Sequence, residues 1–267
     1  MAREYTDRIV RIALLHGFPG FARIGPLEYF RDVPAHLRRK FPDVEVLTPT
    51  VEAAGDVKTR ASQLAGQVAG QERAHLICHS GGGKDARYLV SPQGLGRSDL
   101  AASITTISTP HHGSLIADCV AGVLEVPSSA LEKLRSAAEG VRGFTTAEMQ
   151  KFNEEIRPSP DVRYRSYAGL TQPGDRGVRF GIFAIALPLI QARDGDNDGW
   201  VSVRSSTYPG PLTGTLRADH AGEIGWNVSL VGATLDKVLG RKFDHLAFYE
   251  GLVRELRQQP AVSGAHG

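Results

Sequence analysis

Short apolar runs rich in β-branched residues alternate with stretches of helical spacing along most of the chain, the pattern of an α/β fold built on a parallel sheet. Residues 8–15 (RIVRIALL) are apolar at nearly every position, which predicts a strand covered on both faces. A loop rich in Gly and Pro, HGFPGFARIG, comes next; a helix over residues 27–40 and a strand at 44–47 follow. Residues 62–71 carry a weaker helical pattern. Residues 74–79 predict a strand, 84–90 a helix, and 103–108 a further strand that ends in Thr109-Pro110.

The middle of the chain changes character. Leu115, Ile116, Val120, Val123 and Leu124 recur near helical spacing before Pro127, and Ser129-Ala130-Leu131-Glu132 matches a capping box that would start another helix. Two short helices inserted after a strand predict a cap over a pocket across about 114–143; the plainer alternative is that they cover the sheet as other α/β helices do. A strand at 162–168, an apolar segment at 180–190, the polar turn ARDGDNDGW and a helix within 243–257 complete the pattern. The chain therefore reads as one domain over residues 1–258, with a disordered polar tail at 259–267.

Composition adds exclusions. A chain of 267 residues can bury a large core without staples. Lys and Arg total 31 against 29 Asp and Glu, a balance that gives no reason to expect nucleic acid. Charges recur through the first eleven residues, unlike a signal peptide, and the 11-residue apolar run at 180–190 contains a proline and is too short to span a bilayer. The two cysteines, Cys78 and Cys119, are expected as free buried thiols, because Cys78 lies inside a core strand. A cytoplasmic protein is the expectation, with a trimmed secreted form as the alternative.

The chemistry concentrates at LICHSGGGKDARYL, residues 76–89, where a strand runs into a helix through a glycine-rich turn. A phosphate loop would need glycine at Cys78 and a hydroxyl residue at Asp85, so that reading fails. A turn that lifts a nucleophilic serine fits better. Ser80 sits between strand and helix, Gly81 and Gly82 let the two approach, and the helix start faces developing negative charge. Such a turn calls for an oxyanion loop after an earlier strand, and His16-Gly17-Phe18-Pro19-Gly20 occupies that place. The backbone N–H groups of Phe18 and Gly81 would then be the donors. It also calls for an acid and then a histidine downstream; Asp198 and His220 stand in that order. Of nine histidines, order favours His220 as the base, with His112 as its rival.

Several separated segments, HGFPGFARIGPLEYF, HLICHSGGGKDARYLV, ITTISTPHHGSLIAD, GFTTAEMQKFN, DGDNDGWVSVRSS and ADHAGEIGW, resemble in sequence and order the bacterial triacylglycerol lipases of the pseudomonad type and their intracellular relatives. The resemblance implies an α/β-hydrolase fold with a lid in the 114–143 region, and a serine carboxylic-ester hydrolase. It implies Ser80 as nucleophile, Asp198 as the orienting carboxylate, His220 as base, and Phe18 and Gly81 as oxyanion donors. Acylglycerols with medium or long acyl chains are the implied substrates, with transient lipid contact through the lid. A thioesterase, an acyltransferase or a non-catalytic binding protein on the same fold are the alternatives. Three departures stand out. Gly222, with Glu223 beside it, occupies the position of a calcium-binding aspartate in secreted members; Arg204 lies near a disulfide cysteine's place; Cys78 replaces the first glycine of the turn. An Asp194-x-Asp196-x-Asp198-Gly199 run resembles the opening of a calcium loop, but Ser205 stands where the closing Glu is required. No metal or cofactor is therefore expected, calcium being the alternative.

Overall fold

The computed structural model describes residues 10–17, 23–24, 27–52, 55–123, 139–171, 182–226 and 243–258. Six parallel strands form one sheet: β1 (Val10–Leu15), β2 (Val44–Leu47), β3 (Ala74–His79), β4 (Ala101–Ile107), β5 (Arg163–Gly169) and β6 (Leu212–Leu216). Their order across the sheet is β2-β1-β3-β4-β5-β6. Around them lie α1 (Val33–Lys40), α2 (Val57–Val68), α3 (Gly82–Val90), α4 (Leu115–Val120), α5 (Thr146–Glu155), α6 (Ile182–Asp194), α7 (Val203–Ser206) and α8 (His245–Gln258).

Side chains that alternate along a strand divide the core into two layers. On β1, Ile12 and Leu14 pack with Leu37 of α1 and Tyr249, Leu252 and Val253 of α8. Ala13 and Leu15 face the other way, toward Leu64 and Val68 of α2 and Ala86 and Leu89 of α3. Each large aliphatic side chain so buried contributes about 1.5–3 kcal/mol. The central strands are apolar on both faces for this reason, and Cys78 is one of the small residues of the second layer.

The order in which strands are added to the sheet reverses between β1 and β3, and ligands of open α/β sheets bind at the carboxyl ends of strands flanking such a point. Leu15 pairs with Cys78 across these strands. Two residues beyond that pair, Gly17 and Ser80 leave the sheet side by side.

Several boundaries differ from the sequence reading. The helix expected over 27–40 begins at Val33, because Pro34 is tolerated only in a first turn and Asp32 is left-handed at φ 61°. Leu27–Glu28 instead pairs with Arg23–Ile24 in a two-residue antiparallel ribbon. The weak helix at 62–71 is α2, shifted toward the N-terminus: the Asp56 carboxylate caps it by accepting from Thr59 N–H at 2.7 Å. α3 starts at Gly82, two residues early, since the turn runs straight into it. Helix α5 and edge strand β6 were not foreseen. α6 carries Pro188 within it. Of the expected cap, α4 opens the segment and a 3₁₀ turn at Glu139–Phe144 closes it. Leu124, Pro127 and the capping box at 129–132 lie outside the described residues, as does the 259–267 tail. Cys78 and Cys119 are free and buried. Among the described residues no helix is long and apolar enough to cross a membrane.

Candidate active site

Ser80 follows the last residue of β3 in a left-handed conformation, φ 53°, which costs a non-glycine residue about 1–3 kcal/mol. The turn is held on both sides: Ser80 N–H donates to Ile107 C=O at 2.9 Å, and Thr109 Oγ1 donates to Ser80 C=O at 2.7 Å. Close approach of two backbones explains the glycines. A Cβ on Gly17 would lie 2.7 Å from Ser80 Cβ, and one on Gly82 would lie 2.6 Å from the Leu15 carbonyl oxygen. Lys84 Nζ donates to Gly143 C=O at 2.8 Å and lies over the Phe144 ring. Phe144 in turn covers Gly81, whose added Cβ would meet its ring at 2.9 Å.

Asp198 lies beyond β5 in a turn pinned by its neighbour: Asn197 Oδ1 accepts from Gly199 N–H at 2.8 Å. Both carboxylate oxygens of Asp198 are committed. Oδ1 accepts from the N–H groups of Trp200 and Val201, each at 2.7 Å, and Oδ2 accepts from His220 Nδ1 at 2.7 Å. His220 N–H also donates to Asp198 C=O at 3.1 Å. With a proton on Nδ1, the imidazole keeps Nε2 free to accept one. The Trp200 indole stacks on His220, and the His220 ring lies 4.6 Å from that of His79, the residue before Ser80. Strand ends of β1, β3, β5 and β6 thus deliver Gly17, Ser80, Asp198 and His220 to one edge of the sheet.

Beneath that edge runs a buried polar layer. His79 Nε2 meets Glu223 Oε2 at 3.0 Å, and Ser108 Oγ donates to Glu223 Oε1 at 2.7 Å. Tyr29 Oη and His79 Nδ1 are 2.8 Å apart, and Gly169 N–H donates to Ser108 Oγ at 2.9 Å. Burial holds His79 well below the usual histidine range, aided by the neighbouring His220. Burial, and then the Asp198 charge, hold Glu223 well above the usual carboxylate range. Tyr29 is pushed up, chiefly by burial.

Ser80, Gly81, Asp198 and His220 are all described; Phe18, expected as an oxyanion donor, lies outside the described residues. The rival His112 bonds through its backbone N–H to Ser205 Oγ and packs its ring edge on Tyr208, while the carboxylate of Asp198 goes to His220. Asp194 accepts from Ser202 Oγ and pairs with Arg204 at 2.5 Å, so Arg204 has a structural partner. Among the described residues, His79, His220 and Glu223 form a grouping with metal-ligand chemistry. A cation there would compete with the hydrogen bonds that join His220 to Asp198 and His79 to Glu223. Sequence reasoning placed Glu223 beside a vacated calcium position; the 3₁₀ turn Gly222–Ile224 directs it inward instead, fully buried. Tyr29, Ser108 and the inward role of His79 had no signal in the sequence.

No family model matches the chain. Relatives do. Triacylglycerol lipase 2 of Saccharomyces cerevisiae is 30% identical over 250 residues, 87% of this chain and 74% of the relative. A triacylglycerol lipase of Pseudarthrobacter phenanthrenivorans is 33% identical over 88% of this chain and 94% of its own length. The crystal structure of Staphylococcus hyicus lipase superposes with a TM-score of 0.69 over 98% of both chains at 17% identity, a likeness of fold. The chain belongs to the triacylglycerol lipase family, as a carboxylic ester hydrolase built on the α/β-hydrolase fold.

Proposed function

We propose that Ser80, His220 and Asp198 hydrolyse acylglycerol esters through an acyl-enzyme. His220 Nε2 takes the Ser80 Oγ proton as the oxygen attacks the ester carbonyl, and returns it to the departing alcohol. Asp198 fixes the imidazole tautomer and stabilises the imidazolium that forms. The N–H of Gly81, at the start of α3, and that of Phe18 bind the tetrahedral oxyanion. Water then repeats the cycle on the acyl-enzyme, releasing the acid. The observation that carries this reading is the 2.7 Å contact between Asp198 and His220, against the strand end that holds Ser80 in its left-handed turn.

The substrate class rests on the relatives' names, and the acyl preference on apolar surface beside the site. Phe144, over Gly81, and Trp200, on His220, both pack against a cluster of Ile116 and Val120 from α4 and Ala186 and Ile190 from α6. An apolar wall that begins at the reacting groups favours medium and long acyl chains over acetate. A p-nitrophenyl ester panel tests this: kcat/KM is expected to rise from acetate to octanoate, and a profile that peaks at acetate would overturn it. Turnover is proposed to need no metal, since Asp194 is paired with Arg204 and Glu223 faces inward. Activity is accordingly expected to survive prolonged chelation.

A further inference from the structure

We propose that Lys84 is a positioning residue for acyl selectivity: its ammonium pins the Phe144 ring against Gly81, and the pinned ring starts the wall along which the acyl chain runs. This inference deepens the ester-hydrolase reading above and rests on it. Lys84 stands four residues after Ser80, in the first turn of α3. Three contacts converge on its Nζ. It donates to Gly143 C=O at 2.8 Å, and the ring centroids of Phe144 and Phe152 lie 5.1 and 5.0 Å away. Both rings are within the reach of about 6 Å over which an aromatic face attracts an ammonium. Among the described residues no carboxylate forms an ion pair with Lys84: Asp85 is taken by Arg60, and Glu148 of α5 acts through its charge alone. Burial draws the ammonium down from the usual lysine range, so an apolar side chain would fill this place at less cost. What the charge gains in exchange is a fixed position for Gly143 and Phe144.

Those two residues end the 3₁₀ turn Glu139–Phe144, where the chain returns from the expected cap segment and enters α5. The outgoing and returning strands of chain touch there. Ser114 N–H donates to Phe144 C=O at 2.9 Å, and a Cβ on Gly113 would lie 2.5 Å from Thr146 Cα. Thr146 N–H also donates to Asp118 Oδ1 of α4 at 2.9 Å. The outgoing side is tied to the histidine side of the site, since Ser114 Oγ donates to Trp200 C=O at 2.8 Å and Trp200 stacks on His220. Lys84 supplies the corresponding tie to the nucleophile helix. Phe144 packs against two apolar clusters, that of Ile116 and Val120 and that of Met149 and Phe152. Its ring reaches within 2.9 Å of where a Gly81 Cβ would stand, beside the N–H proposed to bind the oxyanion. A displaced ring would therefore alter the space next to the reacting carbonyl, where an octanoyl chain must pass and an acetyl group ends.

The test measures kcat/KM on p-nitrophenyl acetate and p-nitrophenyl octanoate for wild type, Lys84→Met, Phe144→Leu and the double variant. Methionine keeps an unbranched apolar stem and removes both the charge and the donor. The octanoate-to-acetate ratio is expected to fall at least about 3-fold in each single variant. If Lys84 acts through Phe144, the two effects do not add: the double variant should match the ratio of Phe144→Leu to within about 1.5-fold. A purely structural lysine would lower Tm and the turnover of both esters alike. A smaller fall of the ratio in Lys84→Met, or two effects that multiply in the double variant, would overturn the proposal. If Lys84→Met does not fold, Lys84→Gln, which keeps a donor and drops the charge, decides by the same 3-fold criterion. Failure of the ester-hydrolase reading would leave wild type inactive on both esters, whereas failure of this inference would leave wild type active and the ratio unmoved.

Discussion

Asp85 and Glu223 are both buried carboxyls, and the molecule surrounds them in opposite ways. Asp85, on α3, receives the Arg60 guanidinium on both oxygens, with Nε at 3.0 and 3.1 Å and Nη2 at 2.7 Å. Arg60 also donates to the Glu52 carbonyl, so the pair clasps α2 and the preceding loop to the helix behind Ser80. Burial pushes the Asp85 carboxyl up in spite of the arginine, a sign that desolvation outweighs the attraction. Among the described residues Glu223 has no such cationic partner; Ser108 and His79 hydrogen-bond to it, and the nearby Asp198 charge helps hold its carboxyl up. The difference has a chemical reason. An arginine beside Asp198 would absorb the charge that has to stabilise the His220 imidazolium, whereas Ser108 and a neutral His79 hold Glu223 without bringing a positive charge there.

Asp198→Asn breaks the site side of this comparison. The Asn amide would favour the wrong imidazole tautomer, and kcat on p-nitrophenyl butyrate is expected to fall about 10³–10⁴-fold, with KM little changed. Asp85→Ala breaks the other side: it leaves Arg60 buried without its partner, at an expected cost of about 3–5 kcal/mol in urea unfolding. The kcat of the protein that remains folded should change only a few-fold. A large kcat effect with unaltered stability would show that the clasp belongs to the catalytic machinery after all.

Cys78 gives the smallest effect. It packs in the α2–α3 layer, opposite the buried acid network, and both burial and the nearby Asp85 push its thiol well above the usual range. Thiolate chemistry is therefore disfavoured, and the residue serves as a small apolar side chain where the turn motif usually has glycine. Cys78→Ala is expected to keep kcat within about 2-fold and to cost about 1 kcal/mol at most, measured by turnover and by chemical unfolding.

The parts of the fold that were legible in the sequence are those whose burial is local and two-sided. β1, β3 and β4 read as strands because neighbours cover both faces, so apart from Arg11, His75 and His79 their positions are apolar or small. β6 did not, because LTGTL is an edge strand with an exposed face and no alternation to find. The helix expected over 27–40 starts only at Val33 because Pro34 fits just a first turn and Asp32 is left-handed, a backbone feature with no mark in the apolar pattern. At the site, glycine spacing and chain order nominate Ser80, Asp198 and His220, and the last two are in hydrogen-bond contact. Glu223 was opaque for the opposite reason. Its environment is assembled from the ends of β3 and β4 and the Asp198 turn, residues more than a hundred positions apart in two cases, and nothing beside it in the sequence marks it as buried.

The most direct test of the central assignment is covalent labelling with a fluorophosphonate, read by intact mass and peptide mapping. A single adduct on Ser80 is expected, absent from Ser80→Ala and formed far more slowly in His220→Ala. An adduct on another residue, or wild-type turnover in Ser80→Ala, would contradict the assignment.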